Sequence, residues 1–278
     1  MSIMVQKYLW KILWHFTALV GVGITLGPFV WMLSSSLKLP GALFAYPPVL
    51  IPNELAWSNY PETFGQIPFL RYILNTVYIA GVSAFGQAFC CSTAGFAFAR
   101  LEFRGRRLIF WSLMAALMIP PQVTIVPLFL MVKSVGWLDT YYPIILPFFL
   151  AGAIGTFLAR QFYKTVPRDL DDAARIDGCG TARLFFSIYL PLSGPVIATI
   201  MVLTIVLQWN NLTTPLIFLS SPEKYPISLG LASLITQYTA RWNLLMAANL
   251  MSIVPVMIVF LLAQRYFVAG MLTSGIKS

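Results

Sequence analysis

Long apolar blocks alternate with short charged segments along this chain. No Asp, Glu, Lys or Arg occurs over 72–99, 108–132, 140–159, 184–222 or 242–264, and a further charge-free block covers 12–36. A helix rises about 1.5 Å per residue and a bilayer core is about 30 Å thick, so each block can cross a membrane. The pattern predicts an all-α membrane protein, a single transmembrane domain over 1–278 with six helices at approximately 12–36, 72–99, 108–132, 140–160, 184–212 and 242–264. The first block follows a short basic segment with Lys7 and Lys11. It is too long for a signal-peptide core and reads as a retained span.

Orientation follows from the basic residues. With the N-terminus inside, the inner segments carry Lys7, Lys11, Arg100, Arg104, Arg106, Arg107, Arg160, Lys164, Arg168, Arg175, Arg183, Arg265 and Lys277. The outer segments carry only Lys38, Arg71, Lys133, Lys224 and Arg241. The positive-inside bias therefore places both termini in the cytoplasm. Prolines are frequent within the blocks, among them Pro120, Pro121, Pro127, Pro191, Pro195 and Pro255. Each breaks the intrahelical ladder, so bent spans are expected, either as static packing kinks or as pivots.

Composition agrees with this reading. The chain is 59% hydrophobic and 10% charged, against about 25% charged in an ordinary soluble domain. The formal charge of +9 is accounted for by orientation, and no nucleic-acid partner is expected. Cys90 and Cys91 lie in an apolar block and Cys179 in a charged loop, a spacing that suits neither zinc nor a disulfide framework. No phosphate-binding loop of the G-x-x-x-x-G-K-[ST] type is present, nor H-E-x-x-H or G-x-S-x-G, so no catalytic residue, metal ligand or bound cofactor is assigned. Proton-coupled carriers need an ionisable group within the bilayer. The single histidine, His15, sits near the inner mouth of the first block, where interfacial packing is the simpler role. An ion-coupled or facilitative carrier for small solutes is the alternative to an ATP-driven transporter, and a membrane enzyme lacks its general base.

The inner loop after the fourth block is the most informative stretch. Residues 168–178 read as a short surface helix: Pro167 precedes it, Asp169, Asp171 and Asp172 favour its positive end, and Gly178 stops it in the left-handed conformation. Leu170, Ala173, Ala174 and Asp177 fall on one face by their spacing, and two alanines make that face smooth. The helix either docks a partner or merely joins two spans. A second polar cluster, Gln208, Trp209, Asn210 and Asn211, lies at the far end of the fifth block. Its amides and aromatic face suit either a sugar pathway or interhelical hydrogen bonds.

The run Asp172-Ala173-Ala174-Arg175-Ile176-Asp177-Gly178, followed by Leu190-Pro191-Leu192 and Pro195, resembles the EAA motif of ABC-importer permeases. Further matches are Ala97-Phe98-Ala99-Arg100-Leu101 with Gly105, Ile119-Pro120, Leu138-Asp139-Thr140, Trp209-Asn210, Ile227-Ser228-Leu229-Gly230 and Gln264-Arg265-Tyr266-Phe267. They extend the resemblance over nearly the whole chain, toward the carbohydrate branch of maltose-permease type. One departure is Asp172, where the family has Glu. The resemblance implies a second six-span permease as heterodimer partner, a cytoplasmic ATPase dimer that holds ATP and Mg, and an extracytoplasmic solute-binding protein. It also implies residence in a bacterial or archaeal cytoplasmic membrane, a sugar, oligosaccharide or polyol as substrate, and a coupling role for Leu170, Asp172, Ala173, Ala174, Asp177 and Gly178. Gln208, Trp209, Asn210 and Asn211 are then candidates for the translocation path.

Overall fold

The structure, a computed structural model, describes residues 2–235 and 241–275, and no strand occurs among them. In chain order the helices are α1 (Ser2–Ser36), α2 (Asn59–Gln66), α3 (Phe69–Arg100), α4 (Arg106–Ala115), α5 (Pro121–Ser134), α6 (Tyr142–Ile145), α7 (Ala153–Thr165), α8 (Asp169–Ile176), α9 (Thr181–Leu184), α10 (Leu190–Leu192), α11 (Gly194–Trp209), α12 (Thr213–Phe218), α13 (Ile227–Ala232) and α14 (Trp242–Gly275).

Four stretches are long and apolar enough to cross a membrane as they stand: Trp10–Ser36, Phe69–Arg100, Tyr142–Thr165 and Trp242–Leu262. The blocks expected at 108–132 and 184–212 are instead broken. Arg106–Met118 meets Pro121–Ser134 at 99°, and Thr181–Leu192 meets Gly194–Trp209 at 75°. The count among the described residues is thus four spans, or six if each bent pair is one.

Both breaks have a covalent cause. Pro120 and Pro121 lack N–H donors, and a proline drives the residue before it out of the helical region. Pro120 is accordingly extended (φ −61°, ψ 132°), and Pro121 opens α5. At the second break Pro195 follows Gly194 at the start of α11. Just upstream, Phe185–Tyr189 forms a π-helical turn, the widened geometry that an extra residue imposes on an α-helix.

The chain divides into two compact units, Met1–Phe69 with Leu231–Ile253, and Leu70–Gly230 with Val254–Ser278. In the first unit Asn59 is the organising residue. Its amide donates to the carbonyls of Ser36 (2.8 Å) and Lys38 (3.0 Å) and accepts from Asn243 (2.7 Å). The apolar length of α1 is not buried within the chain at all, which leaves a surface suited to lipid or another apolar chain.

In the second unit the core gathers Cys91, Phe96, Ala159, Tyr163, Leu184, Phe185, Tyr189 and Ile200. Here α3 and α7 touch backbone to backbone, because a Cβ on Gly95 would stand 2.5 Å from the Cβ of Ala159. Small residues permit that approach, which apolar bundles use for tight packing.

Candidate functional site

The short helix α8 follows directly from its sequence. Asp169, Asp171 and Asp172 occupy its first turn and Arg175 its last, each complementing the nearer end of the helix dipole. Its stop is Gly178, at φ +72°. The reversing chain satisfies the last carbonyls: Asp177 N–H donates to Ala173 O (3.1 Å), Gly178 N–H to Arg175 O (3.0 Å) and Cys179 N–H to Ala174 O (2.8 Å). A glycine adopts this left-handed conformation without the steric cost that other residues meet. The helix spans Asp169–Ile176 rather than 168–178, with Arg168 as its N-cap.

The buried face of α8 is not the one expected from spacing. Asp171 and Ala174 point into the chain, whereas Leu170, Asp172, Ala173, Asp177 and Gly178 are exposed. Ala174 packs in the core with Tyr163 and Tyr189. It therefore leaves the set of residues free to meet another surface, and Asp171, absent from that set, takes the inward position. The physical reason is a buried charge. Asp171 sits 3.6 Å from Arg100, with side chains 12% and 5% exposed, and a carboxylate buried to that extent must face its partner.

Arg100 ends α3 and is held from several sides. One Nη donates to the carbonyl of Tyr163 at 2.7 Å and also to that of Val166. The guanidinium lies 5.1 Å from the centre of the Tyr189 ring, close enough for a cation–π contact. Tyr189 in turn donates its hydroxyl to Asp171. Four stretches of chain thus share one interior polar knot: the end of α3, the end of α7, α8 and the π-helical turn. Beside it opens a polar cleft of about 380 Å³, lined by Arg100, Glu102, Arg106, Arg168, Asp172 and Arg175. The mixture of acids and bases in that cleft suits a charged protein surface better than an apolar ligand.

The polar run at the end of α11 is divided. Gln208 is buried and donates to Ser83 Oγ (2.8 Å) and Ile144 O (3.0 Å), while Asn211 donates to Gln208 Oε1 (3.0 Å). Trp209 is also buried. Asn210 is exposed and returns its amide only to Val206 O, one turn back (2.8 Å). Gln208 is thereby spent on holding α3, α6 and α11 together, and Asn210 is the exposed member of the run.

A second polar knot leaves little trace in the sequence. Asp139, at φ +56°, accepts at Oδ1 from the backbone N–H groups of Ser220 and Ser221, both at 3.0 Å, and at Oδ2 from Lys224 Nζ at 2.7 Å. The Lys224 ammonium and the hydroxyl and N–H donors hold its carboxyl well below the usual carboxylate range. Its one local sign is the charge-bearing turn Leu138-Asp139-Thr140, whose partner lies far away in sequence.

Comparison with known proteins agrees with this architecture. Residues 92–273 match the family model of the binding-protein-dependent transport system inner membrane component. The chain is 36% identical over 227 residues to the arabinooligosaccharides transport system permease protein AraQ of Halalkalibacterium halodurans, with 81% of each chain covered. It is 33% identical over 269 residues to the sn-glycerol-3-phosphate transport system permease protein UgpE of Yersinia pestis bv. Antiqua, covering 94% of this chain and 95% of that one. In fold it matches a chain in the crystal structure of a bacterial ABC transporter involved in the import of the acidic polysaccharide alginate, with a TM-score of 0.81 at 22% identity, over 94% and 98% of the two chains. The family match and the relatives make the chain a member of the binding-protein-dependent transport system inner membrane components, a multi-pass permease subunit of an ABC importer.

Proposed function

We propose that this permease carries a sugar, oligosaccharide or polyol inward, and that α8 is the element through which a separate ATPase drives it. The substrate class rests on relatives whose names specify an oligosaccharide and a phosphorylated polyol. The chain works as one transmembrane domain of six spans, each bent pair counting as one, with both termini and α8 on the cytoplasmic side of a bacterial or archaeal inner membrane. A second permease completes the pathway, and a solute-binding protein delivers substrate to the outer face. ATP and Mg belong to the ATPase dimer.

The observation that carries the coupling role is the anchoring of α8. Its inner face is pinned by Asp171 to Arg100 and by Ala174 to the core. Its outer face presents Leu170, Ala173 and Asp177. A helix attached on one side and open on the other transmits a push without being absorbed as local bending. Coupling needs such an element that both partners bias. Of the residues expected to touch the ATPase, Leu170, Asp172, Ala173, Asp177 and Gly178 keep that role and Ala174 becomes an anchor. Asn210 borders the translocation path, and Gln208, Trp209 and Asn211 support it from behind.

Reconstitution of the full importer with ATPase and uptake measured together tests this reading. Ala173→Glu should weaken co-purification of the ATPase while the permease stays in the membrane. Full ATPase binding and full uptake in Ala173→Glu would leave α8 a mere connector. Ligand binding by the cognate solute-binding protein tests the substrate class separately.

A further inference from the structure

Three span ends converge on a crevice of about 430 Å³ that the coupling role does not use. Phe98 comes from the end of α3, Arg106, Arg107 and Trp111 from α4, and Phe157 and Arg160 from the middle of α7. Its walls are aromatic and its mouth is cationic. Arg160 lies 4.2 Å over the Phe110 ring and donates weakly to Phe98 O at 3.4 Å. Arg106 donates one Nη to Leu101 O at 2.8 Å. The ion pairs among the described residues are Arg100–Asp171, Lys224–Asp139 and Arg241–Glu62, so none involves Arg106, Arg107 or Arg160. An adjoining cleft shares Arg106, Arg107 and Trp111 and adds one carboxylate, Glu102, and the polar cleft beside α8 shares Arg106 and adds Asp171 and Asp172 along with Arg100, Arg168 and Arg175. The positive charge thus exceeds the negative at this mouth.

We propose that the crevice binds an anionic phospholipid, with the headgroup phosphate between Arg106, Arg107 and Arg160 and an acyl chain along Trp111 and Phe157. Two observations select a lipid over a soluble anion or a protein. Arg106 and Arg107 open Arg106–Met118 and Arg160 lies in the last third of Tyr142–Thr165, so all three stand toward the ends of stretches apolar enough to cross a membrane, where lipid headgroups lie. The wall beside them is outward-facing apolar surface, with Trp111 60% and Phe157 39% exposed, which lipid tails cover naturally. Basic pockets between span ends are a recurring mode of headgroup recognition, and the planar guanidinium offers paired donors to phosphate oxygens. The site stands on the span ends alone and does not depend on α8 engaging an ATPase.

The test uses the full chain, purified in the complex that it forms, in nanodiscs of phosphatidylcholine with and without phosphatidylglycerol. Retained lipid is counted by native mass spectrometry. Wild type should retain phosphatidylglycerol in preference to phosphatidylcholine. Arg107→Gln changes an exposed side chain and should lower that preference roughly five-fold, the effect of one cation at a membrane surface. Adding Arg160→Gln should lower it further, and Arg160→Lys should keep most of it. Equal retention of both lipids by wild type, or an unchanged preference in Arg107→Gln, overturns the site. So does equal thermal protection by inorganic phosphate in phosphatidylcholine discs, which would indicate a soluble anion. Loss of another subunit from Arg107→Gln with lipid retention unchanged would assign the surface to a protein contact and likewise overturn it.

Discussion

The guanidinium of Arg100 lies 3.6 Å from the carboxylate of Asp171, inside the second unit, and joins the end of a membrane-crossing helix to the short helix α8. A paired charge in such a place tolerates removal of neither partner. Its energetic weight lies less in the attraction than in what a lone survivor would cost.

Arg100→Leu should strand Asp171 and destabilise the protein by about 3 kcal/mol or more. Asp171→Leu should cost less, because Arg100 keeps the carbonyls of Tyr163 and Val166. The double variant should fall short of the sum by about 1 kcal/mol or more. Thermal unfolding of the purified complex measures this cycle, and strict additivity would mean that the pair is not coupled. Tyr189→Phe, which removes only the hydroxyl bond to Asp171, should leave folding nearly intact and raise the ATP consumed per substrate transported.

Gly178→Val should keep the permease in the membrane but reduce substrate-stimulated ATP hydrolysis. A Cβ added at this position would meet no atom within 4 Å, so the effect is backbone strain alone, roughly 1–2 kcal/mol. Gly178→Asn, which reaches the left-handed region more readily, should retain most activity. Equal loss in both variants would implicate side-chain volume rather than φ.

Asp139→Ala should lower the melting temperature at pH 7 by roughly 2–4 °C, as expected for a partly exposed ion pair worth about 1 kcal/mol. The folded-state pKa of Asp139 is depressed, chiefly by Lys224. Its stabilisation is therefore complete above the ordinary carboxylate value of about 4 and fades as pH falls below it toward the lower folded value. The gap between parent and variant should narrow only below pH about 4, and melting curves from pH 7 to 3 would reveal a gap that narrows earlier.

Gln208→Leu and Asn210→Leu should separate support from pathway. The first deprives Ser83, Ile144 and Asn211 of a buried partner, at about 1–3 kcal/mol, and should reduce the amount of folded permease. The second removes an exposed amide bonded only within its own helix. It should leave assembly unchanged and lower uptake. Normal uptake by Asn210→Leu would exclude that side chain from the path.

Local chemistry alone determined much of this protein. Four of the six charge-free blocks specified where stretches of membrane length form, since any long apolar run in lipid must satisfy its own backbone. Pro120 and Pro121 marked a break, because a missing N–H and a constrained φ act within one or two residues. Gly178 marked the end of α8 for the same local reason. Which face of α8 turns inward was decided only by tertiary structure. Spacing offered Ala174 and Asp177 equally, and the choice fell to the distant Arg100, which binds Asp171. Gln208 and Asp139 were likewise visible as polar residues, but their partners Ser83 and Lys224 lie 125 and 85 positions away. Periodicity reports the direction of a side chain about its own helix axis. A buried hydrogen bond or ion pair depends on which other segment arrives at that face, and only the packed chain supplies it.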